Sequence, residues 1–194
     1  MAANLFYTAR LSSTFDKNKM NAFRAPDHLV VHETDHWTIN HRVNSELPGY
    51  FMVGSKMDTN DLSSLSKEAL FELGLLLARL QQIITEQLSP SHFYVGRYGH
   101  MKEHTIHFHV IPVYDWVARA FYSDERYRAL RQFYTPGVYD DGSDSTFDGA
   151  DMTLFIWREF CESKTPPQIH GPTVQETVEM VRKKIVEQGE TSDR

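Results

Sequence analysis

The sequence predicts an α+β protein in which a five-stranded antiparallel sheet packs on one long helix and a helical C-terminal extension follows. Three observations predict it. A leucine-rich stretch over 66–88 repeats its apolar residues at helical spacing. Short β-like runs over 29–33, 37–43, 50–54, 93–97 and 104–112 are separated by turn residues. Beyond Pro112 the strand pattern stops and longer helix-like segments take over.

The elements follow in order. Residues 1–26 are mixed and polar, with Phe6, Tyr7, Phe15 and Phe23 spaced through them, and read as an ordered arm. The runs 29–33 and 37–43 flank Thr34-Asp35-His36 and make a hairpin, and 50–54 follows the turn 44–49. In the helix, Leu70, Leu73, Leu77, Leu80, Ile84 and Leu88 recur on one side; Ser66 can cap its start and Pro90 stops it. The fourth and fifth strands come next. Later, 122–134 predicts a helix, 136–149 an Asp-, Gly- and Ser-rich loop, and 152–162 a helix carrying Leu154, Phe155, Trp157 and Phe160. Thr173 to Glu176 has the form of a capping box opening a last helix through Val186, with residues 189–194 expected to fray. Residues 1–115 thus read as one domain, with its core at about 25–115, and 116–194 as a helical extension packed on it.

The fifth strand carries the chemistry. Alternation puts Thr105, His107, His109 and Ile111 on one face and Ile106, Phe108 and Val110 on the other. The apolar face calls for the long helix behind it, which leaves the histidine face to open on a cleft. Two imidazoles side by side on a rigid strand suit metal binding or nucleophilic and acid–base chemistry.

Composition narrows the class. At 41% hydrophobic and 24% charged, the chain is ordinary for a globular protein. Its 26 acidic against 20 basic residues, net −6, lack the basic footprint of a nucleic-acid binder. A single cysteine, Cys161, excludes an intrachain disulfide and a cysteine-rich zinc site, and reads as a small apolar residue. No signal-like or membrane-spanning apolar run is present, so no membrane partner is expected and a reducing cytoplasm is the default. His32, His36 and His41 read as surface or turn residues.

The run Thr105-Ile106-His107-Phe108-His109-Val110-Ile111, followed by Pro112, resembles the signature of the histidine-triad (HIT) family, in which histidines alternate with apolar residues. The first triad position is then Thr105; His104 would fill it only if a bulge shifted the register. Upstream, Leu47-Pro48-Gly49-Tyr50-Phe51-Met52-Val53 resembles the family's Pro-Gly-His strand, with Tyr50 where a fourth histidine often stands. Asp61-Leu62, the Leu-rich helix and a Gly-containing strand come in the family's order, so the resemblance covers roughly residues 25–115. It implies a HIT-like sheet and helix.

The resemblance also implies a hydrolase or transferase acting at the α-phosphate of a nucleotide conjugate, such as a dinucleoside polyphosphate or a nucleoside phosphoramidate. His107 matches the attacking histidine, His109 the one that contacts phosphate and helps protonate the leaving group, and Thr105 keeps a hydroxyl for a phosphate oxygen. Asn40 or Asn44 matches a ribose-binding Asn, and Tyr50 borders the site. Gly96 to Lys102 stands where the family has a phosphate loop, offering Arg97, Gly99 and Lys102 to an anion, and His100 or His104 can lend an imidazole. No cofactor and no metal are implied; the partner is a nucleotide substrate, and relatives pair as homodimers. Two other classes stay open: a zinc protein using His104, His107 and His109 with His100, and a non-catalytic nucleotide-binding module.

Overall fold

The computed structural model describes residues 24–98, 105–126 and 149–192. Strands β1 (Val30–Glu33), β2 (Trp37–His41), β3 (Phe51–Ser55), β4 (His92–Gly96) and β5 (His107–Val113) form one sheet in the order β1-β2-β3-β5-β4. Every neighbouring pair is antiparallel. The first hairpin closes because Thr34 Oγ1 accepts the backbone N–H of His36 at 3.2 Å and of Trp37 at 3.0 Å.

Helix α1 (Lys67–Leu88) begins where Ser66 Oγ accepts the Ala69 N–H at 3.2 Å, and it ends at Ser89, whose φ of 48° is left-handed. Its buried residues are Ala69, Leu76, Leu80, Ile83 and Ile84. The expected leucine row holds from Leu73 on, with Leu73, Leu77, Leu80, Ile84 and Leu88 in or against the core, whereas Leu70 is exposed, as are Phe71 and Leu75. The indole of Trp37 donates to the Ala69 carbonyl at 2.9 Å and so draws the small-residue side of the helix onto the sheet.

Alternation decides what meets α1. Ile39, Val53 and Phe108 form one cross-strand row, and His41, Phe51 and Val110 the next. All but His41 pack with Trp37, Ile106 and the helix in one apolar core. Burying each large side chain there is worth about 1.5–3 kcal/mol. The apolar face of β5 therefore lies against the long helix as its parity requires.

The opposite face is not wholly open, which corrects the expectation of a bare cleft. Tyr50, Ile111 and Val113 are buried there under α2 (Asp115–Ser123), α3 (Gly149–Trp157) and the π-helical turn Arg158–Glu162 that continues α3. Val117, Phe121, Met152, Phe155, Ile156 and Phe160 supply the cover. Ile111 and Val113 share the histidines' parity, so the same strand face changes from polar to apolar along its length.

The helix expected over 122–134 falls largely outside the described residues. The described part shows α2 instead, which sequence reading did not mark; it buries Val117 and Phe121, one turn apart. The expected capping box is present. Glu176 N–H donates to Thr173 Oγ1 at 3.2 Å, and Thr173 N–H donates to Glu176 Oε2 at 2.7 Å. It opens α4 (Val174–Ser192), which runs past the expected end at Val186. This helix returns to the α1 side, where Arg182 Nε donates to the Val30 carbonyl at 2.7 Å and Arg79 binds the Ile185 carbonyl. No helix among the described residues is long and apolar enough to cross a membrane.

Candidate active site

Two cross-strand rows carry the polar part of the second face. His107 on β5 stands opposite Gly54 on β3, which faces Thr38 on β2. His109 stands opposite Met52, which faces Asn40, and on its other side opposite Gly96 of β4. The two imidazole rings lie 5.2 Å apart, tilted by 57°.

Hydrogen bonding fixes each ring's tautomer. His107 Nδ1 is 2.8 Å from the Thr105 carbonyl oxygen. That oxygen can only accept, so Nδ1 carries the proton and the lone pair stands on Nε2. For His109 the order is reversed. Its Nδ1 is 2.8 Å from the Tyr50 hydroxyl and 3.1 Å from Arg42 Nη1. A guanidinium has only donors, so this Nδ1 is the acceptor and Nε2 carries the hydrogen. The Tyr50 hydroxyl closes the triangle, 3.2 Å from Arg42 Nη1.

Electrostatics hold that state. Burial, and then the charge of Arg42 and the neighbouring His107, bring the His109 pKa down to about 3. With only 6% of its surface exposed, His109 stays neutral across the physiological range. Burial pushes the Tyr50 phenol up, so it keeps its proton. Arg42 is itself held: its Nε donates to Asn44 Oδ1 at 2.9 Å, and Asn44 Nδ2 donates to the Cys161 carbonyl at 3.2 Å. Two glycines make room. Gly49, with φ of 78°, lies so close to Leu88 that a Cβ would meet its Cδ1 at 2.9 Å. At Gly96 a Cβ would strike the ring of Tyr98, which folds back to within 5.1 Å of the His109 ring.

Sequence reading and structure agree on the pairing of His107 and His109 and differ elsewhere. Thr105 lies just ahead of β5, 8% exposed, and offers its carbonyl to His107. Asn40 sits on the His109 row, buried, with Nδ2 donating to the His41 carbonyl at 2.8 Å. Asn44 is exposed and bonded to Arg42 and Cys161. Arg97 was expected to face an anion. It follows Gly96, which occupies the histidine face, and its guanidinium instead binds the backbone and side-chain oxygens of Asn60, in the segment leading to α1. Gly99, His100, Lys102 and His104 lie outside the described residues.

His41 overturns its reading as a surface residue. It is fully buried on the α1 side, with Nδ1 3.1 Å from the Arg42 carbonyl and Nε2 3.0 Å from that of Leu47. Arg42 and Tyr98 were missed altogether. The signal for Arg42 was present: alternation continued from Thr38 and Asn40 brings it to the histidine face, level with Tyr50, whose carbonyl accepts the Arg42 N–H at 2.8 Å. Among the described residues no group of three or more His, Cys, Asp or Glu is placed to hold a metal. A pocket of about 390 Å³ between Pro48, Tyr114, Trp116 and His170 contains none of the candidate residues.

No family model and no curated protein matches the chain by sequence. Solved structures do match. Several of the structural neighbours are histidine-triad proteins. One is a HIT-like protein from Bartonella henselae involved in cell-cycle regulation, 15% identical, TM-score 0.44, covering 80% of this chain and 86% of its own. Another is a zinc-bound histidine-triad protein from Mycobacterium smegmatis, 14% identical, TM-score 0.46, covering 86% and 89%. The diadenosine triphosphate hydrolase of Plasmodium falciparum, solved with cyclomarin A, is 15% identical, TM-score 0.43, covering 57% and 76%. These likenesses are remote.

Proposed function

We propose that the protein is a nucleotide hydrolase or transferase acting at the α-phosphate of a nucleotide conjugate through a nucleotidyl–His107 intermediate. The observation that carries this reading is the pair of opposite tautomers on adjacent imidazoles. His107 has its lone pair on Nε2 and attacks phosphorus, forming an N–P bond. The Nδ1–H bonded to the Thr105 carbonyl steadies the positive charge that develops on the ring. As the bond to the leaving group breaks, His109 Nε2–H donates a hydrogen bond to the departing oxygen or nitrogen, which takes its proton from solvent. Water, losing a proton to solvent as it attacks, then cleaves the N–P bond and frees His107; another nucleophile in its place makes the reaction a transfer.

Asn40, two strands from His109 on the same row, is the candidate for the ribose. Gly99, His100, Lys102 and His104 are candidates for the phosphates. In this reading the protein works in the cytoplasm as a homodimer, with edge strand β4 available for pairing. Adenosine 5′-phosphoramidate and diadenosine triphosphate are the test substrates. Release of AMP by the wild-type protein, with a covalent nucleotidyl adduct found on His107 by mass spectrometry, is the expected result. No release from either substrate, or an adduct elsewhere, overturns the reading.

A further inference from the structure

We propose that Arg42 is the positioning residue that fixes His109 as an Nε2–H donor, and that the C-terminal helices set Arg42 in place through Asn44. The proposal rests on the catalytic reading above and adds the residue that makes the two imidazoles different.

The two partners of His109 Nδ1 differ in what they can do. A phenol donates or accepts, so Tyr50 alone would leave either nitrogen free to carry the proton. A guanidinium cannot accept and does not lose its charge. With Nη1 at 3.1 Å, Arg42 removes the choice: Nδ1 is the acceptor. The same charge opposes a second proton on the ring. The ring therefore presents one hydrogen-bond donor, Nε2–H, and keeps it throughout the reaction. Arg42 thereby gives the site a guanidinium directly beside His109.

What holds Arg42 comes from a distant part of the chain. Cys161 belongs to the π-helical turn Arg158–Glu162, and the last carbonyls of a helix have no partner within it. The Cys161 carbonyl is filled by Asn44 Nδ2, and the other end of the same amide accepts Arg42 Nε. The Arg42 guanidinium also lies 5.1 Å from the Tyr50 ring, which packs in the core beneath α2 and α3. The C-terminal helices thus reach His109 by a run of three hydrogen bonds, Cys161 to Asn44 to Arg42 to His109. Among the described residues the groups facing His109 are Arg42 after β2, Tyr50 just before β3, His107 from its own strand and Tyr98 beyond β4; Cys161 adjoins Arg42 from the π turn.

The test reads the imidazole directly. Nitrogen NMR of the full-length protein labelled at histidine separates protonated from lone-pair ring nitrogens, with or without substrate. In the wild type, His109 should show Nδ1 as the lone-pair nitrogen. Arg42→Met should mix or invert that assignment and raise the His109 pKa by roughly one to three units. It should also lower kcat on adenosine 5′-phosphoramidate by about a hundredfold or more, with KM changed only a few-fold. Arg42→Lys, which keeps a charged donor, should restore the tautomer. Asn44→Ala, at an exposed position, should shift His109 the same way by a smaller amount with the fold intact. An Arg42→Met protein that folds and keeps the wild-type His109 tautomer and titration overturns the proposal. So does an Asn44→Ala spectrum identical to wild type, for the part played by the C-terminal helices. If His109 responds as expected but neither test substrate is cleaved by the wild type, the catalytic reading falls and the positioning role stands.

Discussion

The two faces of the sheet are built from the same strands by the same alternation, yet they do different work. Toward α1, the rows of β2, β3 and β5 are apolar except at His41 and Ser55. Toward the other side, the rows ending in His107 and His109 are polar, and from Tyr50 and Ile111 onward they are apolar and covered by α2 and α3. The first face stabilises; the second is divided between stability and chemistry. Tyr50 stands on the division, 2% exposed, with its ring in the apolar cluster and its hydroxyl on His109. A chemical group is thereby anchored in packed core, which holds its geometry better than a surface loop would.

The largest effect that sharpens the contrast is expected at His107. His107→Asn should reduce turnover by on the order of a thousandfold or more while the unfolding midpoint in urea hardly moves. A pair of core truncations gives the converse. Phe51→Ala, beneath α1, and Phe155→Ala, beneath the histidine face, should each cost about 3–5 kcal/mol in urea unfolding. Only Phe155→Ala should also lower kcat well beyond its effect on the folded fraction, because it loosens the cluster that seats Tyr50. Equal losses of kcat in the two would erase the distinction between the faces.

How much of this was legible follows from the physics of each part. Alternation is local, so β5 and its two faces were readable from His107, His109 and their apolar neighbours. Caps are local too, and Ser66 and Thr173 announced their helices. The cover over Ile111 depended on α2 and α3 folding back, a long-range event with no local signature, so the histidine face was expected to be open. His41 looked like a strand-end polar residue because nothing nearby reveals that the carbonyls of Arg42 and Leu47 meet its two nitrogens. Arg42 lay within reach of the alternation rule but beyond the end of the recognised motif. Arg97 was misplaced because a Gly-rich loop suggests an anion, whereas its position one residue after Gly96 sent it to Asn60.

Each face also buries an imidazole, and acid should expose both. Burial depresses the pKa of His41 on the α1 side and brings that of His109 to about 3 on the other. In the unfolded chain both titrate near the ordinary histidine value of about 6.5. Below that pH the unfolded state takes up protons that the folded state refuses. Stability from these groups is therefore complete above about 6.5 and is lost as the pH falls toward the folded values. The loss is up to about 1.4 kcal/mol per pH unit for each imidazole that stays neutral. Urea unfolding at a series of pH values should show this slope, and His109→Gln should flatten the lower part of it. A stability that is level between pH 7 and 4 would mean that neither ring is held neutral.

The smallest expected effect tests the division itself. Tyr50→Phe keeps the ring in the apolar cluster and removes only the hydroxyl that donates to His109 at 2.8 Å. Arg42 Nη1 remains at Nδ1, so the tautomer should be retained; the losses are the bond to His109 and the longer one that the hydroxyl accepts from Arg42 Nη1 at 3.2 Å. The expected cost is about 1 kcal/mol of stability, with a fall in kcat of severalfold rather than the hundredfold expected for Arg42→Met. The comparison of the two variants separates packing from charge. If Tyr50→Phe were as damaging to turnover as Arg42→Met, the phenol and not the guanidinium would be setting His109. If it changed neither stability nor turnover, the hydroxyl would be dispensable, and Tyr50 would belong wholly to the apolar half of its face.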